Sequence, residues 1–160
     1  MKRLPSDIAA LLLRLAAGAI FLPHGISKVF GAGGPAAFAA DLPSYGIPTI
    51  LGYLGAYAEC FGAVLLLVGL VTRLNAILLA GMMAIAVAVV QLPDAFRDSD
   101  IHGFGAIMHT IELPLSMFAI TAAIVLIGPG RFSLDSLLRV EERVKAMVRK
   151  PPVTTAVVAD

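Results

Sequence analysis

The sequence predicts an all-α integral membrane protein: a four-helix bundle followed by a C-terminal amphipathic surface helix. Three observations carry this expectation. Of the 160 residues, 59% are hydrophobic and 14% charged, whereas a soluble domain is nearer roughly 45–50% apolar and about 25% charged. The apolar residues gather into four runs, each long enough to cross a bilayer. With four spans, nearly all Lys and Arg residues fall on one side of the membrane.

The first run, Ile8 to Phe30, would be roughly 33 Å long as a helix. It carries Arg14, Pro23, His24 and Lys28. Charges within a span are expensive and normally face protein or a water-filled cavity. Arg14, Gly18, Phe21, Gly25 and Lys28 recur every three or four positions and share one helix face, with His24 beside it. Pro23 is expected to kink the helix and free a backbone carbonyl, which His24 could satisfy. Lys2 and Arg3 before the run imitate a signal peptide, and Ala37-Phe38-Ala39 imitates a cleavage site. That site lies well beyond the apolar run, so a retained span is expected.

Residues 31–48 are rich in Gly and Pro and read as a loop, with a short helical turn over Ala36–Leu42. The second span, Ile50 to Val71, has a small-residue stripe through Gly52, Gly55 or Ala56, and Gly62 or Ala63. Such stripes let helices approach closely in lipid, and Glu59 lies within this one. The third span, Leu74 to Leu92, forms a hairpin with the second through the short connection at Arg73. After a polar loop, 93–103, the fourth span runs from Phe104 to Ile127. It carries His109 and Glu112 on one face, with Pro114 as a second expected kink. Gly128-Pro129-Gly130 ends it. Ser133 is then an expected N-cap, with Asp135 in the first turn of an amphipathic surface helix. Residues 1–138 form one domain in this reading, and 139–160 a tail that is partly amphipathic helix, then disordered. The Lys and Arg distribution puts both termini in the cytoplasm, and the expected location is the inner (cell) membrane.

The net charge of +1 offers no basic face for nucleic acid. The single cysteine, Cys60, excludes an internal disulfide and the multi-cysteine metal signatures. Helix rise places His24, Glu59, His109 and Glu112 in the outer half of the bilayer, at about 8 to 14 Å depth. Lys28 stands at the mouth and Arg14 nearer the cytoplasm. One outward-opening pocket could gather His24, Lys28, Glu59, His109 and Glu112. Lys28 could instead be an interface anchor with its amine snorkelling outward, and Arg14 a structural partner of Glu59 or Glu112. A quinone or quinol suits an apolar slot with a few proton-exchanging groups at its head. A metal held by His24, His109 and a carboxylate, bis-histidine haem and an ion pathway are weaker alternatives. No haem, metal or nucleotide cofactor is expected.

Four segments together resemble the DoxX family. They are RLAAGAIFLPHGISKVFG (14–31), AECFGAVLLLVGLVTRLNA (58–76), IELPLSMF (111–118) and IGPGRFSLD (127–135). Arg14, Gly18, His24, Gly25, Lys28, Glu59, Gly62, Gly69, Arg73, Glu112 and Gly130 match the family pattern. Pro23 replaces a common aromatic residue, and His109 lies outside the pattern. The resemblance covers about residues 8–138 and implies a four-helix membrane protein. Its namesake relatives are linked to quinone-reducing thiosulfate oxidation, and others to membrane redox complexes. It therefore implies a membrane redox subunit that interacts with quinone, with another redox subunit as partner. A non-catalytic membrane anchor for a redox or metal-handling protein, or a small transporter, is the alternative.

Overall fold

A computed structural model describes residues 4–96 and 104–139. Helix α1 spans Leu4–Phe30, α2 Gly34–Ala40, α3 Thr49–Val68 and α4 Thr72–Phe96. Helix α5 spans Phe104–Ile127 and α6 Leu134–Leu138. A 3-10 turn, Leu42–Tyr45, joins α2 to α3, and the stretch Ala86–Gln91 of α4 is π-helical. Helices α1, α3, α4 and α5 each contain a stretch long and apolar enough to cross a membrane. The end where α1 starts and α5 finishes is here the proximal end, and the opposite one the distal end.

Helix α1 packs most extensively against α3, and α4 against α5. Small residues explain the first pairing. The α1 face expected from its spacing is the buried one, through Ala10, Arg14, Ala17, Gly18, Phe21 and Gly25. It meets the α3 stripe of Gly52, Ala56, Glu59, Gly62 and Ala63, all buried. A Cβ on Gly25 would overlap the Cys60 backbone, so this close approach needs glycine. Leu66, Leu79, Met83, Met117 and Ile124 fill the core between the helices.

Pro23 and Pro114 lie inside α1 and α5 without ending either helix. One lost backbone bond can be tolerated where neighbouring helices hold the span in place. The second span stops at Val68, earlier than expected. Gly69 takes a left-handed conformation (φ 72°) and its N–H returns to Leu65 and Leu66 carbonyls. The α3–α4 hairpin is tied near this end by Asn75 Nδ2, which donates to the Gly62 carbonyl at 2.7 Å.

Residues 128–138 fold back as a proximal clasp. The Asp135 carboxylate accepts from the backbone N–H groups of Val71 and Thr72, each at 2.7 Å. It thereby caps α4, not only the first turn of its own helix, and fixed negative charge there complements the helix dipole. Asp135 N–H donates to the Gly69 carbonyl at 2.9 Å, and Arg131 N–H donates to Asp7 Oδ1 at 3.0 Å. Ser133 caps α6 as expected, accepting from Ser136 N–H at 3.1 Å. Arg139, in a left-handed conformation, closes this turn. The expected continuation of the amphipathic helix beyond residue 139, like residues 97–103, lies outside the described residues.

Candidate ligand-binding cavity

Lys28 and Glu59 form the polar centre of the bundle. Lys28 Nζ lies 2.6 Å from both Glu59 carboxylate oxygens. The Glu59 side chain is 4% exposed and that of Lys28 25%. The same ammonium sits 4.3 Å from the Phe38 ring centroid, a cation–π distance. Lys28 is therefore not the snorkelling anchor that its place near the helix end allowed. Gly25, one turn earlier, brings α1 onto α3, so the lysine stem runs toward Glu59 while α2 lays Phe38 over the amine.

This pair faces a cavity of about 790 Å3 between α1, α3, α4 and α5, within the ~300–1,000 Å3 usual for small-molecule sites. His24, Lys28, Glu59 and Gln91 supply its polar side chains, and the remaining lining is apolar or glycine. Phe38, Leu42 and Ile47 cover its distal side. Tyr45, in the same cover, donates its hydroxyl to Asp94 Oδ2 at 2.8 Å and so holds the cover to α4. The extra residue in a π-helical turn rotates the residues after it around the helix axis; here Val90 and Gln91 face the cavity.

The structure thus brings together His24, Lys28 and Glu59. It does not bring in the other three candidates. Glu112 and His109 pair with one another at 3.5 Å, with side chains 65% and 89% exposed. Helix α5 turns Leu113, Pro114 and Met117 to the cavity, and Glu112 is about 100° away around the helix from Leu113. Similar depth does not put Glu112 on the same side as Glu59.

Arg14 is fully buried but belongs to the proximal clasp. Its Nη2 donates to the Phe132 carbonyl, and its guanidinium occupies the place a Cβ on Gly69 would take. It partners neither Glu59 nor Glu112, because Lys28 holds the first and the second faces outward. His24 is exposed at the cavity edge. Among the described residues, no three His, Cys, Asp or Glu side chains gather as a metal-ligand set.

Sequence reasoning missed Asp7, Phe38, Gln91 and the capping role of Asp135. Asp7 had a legible signal, since it precedes Arg14 by seven residues and so shares its face. The others depend on contacts between distant segments.

A mutually neutralised Lys–Glu pair at an apolar cavity has a definite chemical capacity. The ammonium can donate to a ligand carbonyl oxygen, and the carboxylate can accept from a ligand hydroxyl. Either contact is strengthened where water is excluded.

The sequence pattern of the DoxX family matches residues 9–92. A Bacillus subtilis (strain 168) protein named "Putative oxidoreductase CatD" is 34% identical over 110 residues, covering 69% of this chain and 80% of that protein. An uncharacterised membrane protein of Mycobacterium tuberculosis (strain H37Rv) is 33% identical over 134 residues, covering 79% of this chain and 78% of that protein. No solved structure matches the chain.

Proposed function

This chain belongs to the DoxX family, and we propose that it is a membrane subunit of a redox system that interacts with a quinone or quinol. The observation that carries the reading is the Lys28–Glu59 pair facing an otherwise largely apolar cavity. The oxidoreductase name of the Bacillus relative agrees with it. A quinone supplies two-electron redox chemistry coupled to proton exchange. The chain's own residues would bind and orient its head: Lys28 donates to a carbonyl oxygen, Glu59 accepts from a hydroxyl, and His24 at the edge can relay protons. The largely apolar walls suit the hydrocarbon parts of such a ligand. The Lys and Arg distribution favours an inner-membrane orientation with both termini cytoplasmic and the cavity toward the outer half.

Titration of the purified protein with a quinone tests this. Saturable binding that weakens at least tenfold in Glu59→Gln is expected. Absence of saturable binding, or binding indifferent to that substitution, would sink the proposal.

One observation favours a second reading, a non-catalytic anchor for a redox protein. His109 and Glu112 are exposed on a spanning helix, where a charge is costly unless something covers it. Stable capture of a redox protein that is lost in Glu112→Leu, with that protein's activity unaffected by Glu59→Gln, would favour this anchor role over quinone chemistry.

A further inference from the structure

We infer that the cavity is entered sideways from the bilayer, through a portal between α3 and α4 centred on Gly81, and that it admits a quinone whose apolar tail lies across this portal. The inference rests on the quinone reading and adds the route and the class of quinone, one with a lipid-soluble tail. Its ground is which cavity-lining residues are also exposed. Leu51 and Leu54 of α3 and Ile77, Leu78 and Ile85 of α4 all line the cavity, and all are exposed. The cavity is not enclosed, and these exposed side chains lie along its rim on the α3–α4 side. These positions form one strip on each arm of the hairpin, within segments long and apolar enough to span a membrane. The opening therefore faces lipid.

His24 of α1 and Leu113 of α5 also line the cavity and are exposed. That side carries an imidazole instead of aliphatic groups alone, and the two ends of the bundle are covered. The distal side carries the cover of Phe38, Leu42 and Ile47, held to α4 through Tyr45 and Asp94. Toward the proximal end the arms are tied by Asn75 to Gly62, and the hairpin turn is locked by Asp135.

The portal strips hold no charged or hydrogen-bonding side chain that could replace the hydration of a polar solute. They present only aliphatic groups to whatever crosses them. The lining also extends along α4 from Ile77 to Gln91, fourteen residue steps or roughly 20 Å at ~1.5 Å per residue. That exceeds a single aromatic head and suits a head with a chain attached. Lys28 and Glu59 fix the head, and the tail passes out between Leu54 and Ile85.

Gly81 stands between Ile77 and Ile85 on the α4 strip. It lines the cavity, and a Cβ placed on it would meet no atom within 4 Å. A larger side chain there would fill the opening without disturbing the helix or the ion pair.

The test is photo-crosslinking in proteoliposomes with a long-chain quinone carrying a diazirine on its tail, with labelled residues mapped by mass spectrometry. Labelling that unlabelled quinone competes away should fall on residues 51–58 and 77–85. It should drop at least tenfold in Gly81→Leu and remain within twofold in Gly81→Ala, with both variants melting near the wild type. Competable labelling elsewhere that Gly81→Leu does not change would overturn the portal while leaving the quinone site standing. No competable labelling in the wild type would overturn the portal and the quinone reading together.

Discussion

Replacing Lys28 by Met removes the cation while keeping most of the stem's volume. Glu59, with its side chain 4% exposed, then loses both 2.6 Å hydrogen bonds and is left as an unpaired carboxylate. Breaking a buried ion pair from one side costs about 3–5 kcal/mol. The 25% exposure of Lys28 gives water some access, so the lower end, about 3 kcal/mol, is expected. That corresponds to a loss of roughly two powers of ten in the folded-to-unfolded ratio. The double variant Lys28→Met/Glu59→Leu removes both charges and should recover most of the loss, since a well-packed apolar pair often matches a buried ion pair. The assay is equilibrium unfolding in mixed detergent micelles, followed by circular dichroism across the full double-mutant cycle. A Lys28→Met protein as stable as wild type would contradict a stabilising role for the buried pair. So would a double variant whose loss equals the sum of the two single losses.

Two further predictions concern the proximal clasp. Asp135→Ala removes the charged acceptor for Val71 and Thr72 N–H. It should cost about 1.5–3 kcal/mol, with Asp135→Asn intermediate, read as a drop in thermal midpoint. Gly69→Ala places a side chain at φ 72°, worth about 1–2 kcal/mol. It also displaces the Arg14 guanidinium and sets a Cβ 2.7 Å from that of Ser133. The combined loss should exceed that of Asp135→Ala, and limited proteolysis should cut the 128–139 segment faster than in wild type.

The spans were the legible part of this molecule, because runs of about twenty apolar residues have few other interpretations. The α1 and α3 packing faces were legible too, since Gly18, Gly25, Gly52 and Gly62 recur at helical spacing. Helix α5 was different. It is apolar nearly all round, so periodicity gives no signal for which side is buried. Depth from helix rise then places Glu112 level with the cavity but says nothing of direction, and the residue faces outward. Lys28 and Arg14 show a related limit. Both are long cations on one face, yet each pairs with whatever its own depth offers: a carboxylate for Lys28 and the exit segment for Arg14. Asp135 read as a first-turn acid because its partners, Val71 and Thr72, are more than sixty residues away in sequence. Chain folding, not local pattern, creates that cap.

Quinone affinity compared side by side in Glu59→Gln and Glu112→Gln tests most directly whether the functional centre is the cavity pair and not the carboxylate on the outer face. The geometry predicts at least a tenfold loss for Glu59→Gln and a change within twofold for Glu112→Gln. Equal losses in the two variants, or a greater loss for Glu112→Gln, would contradict it.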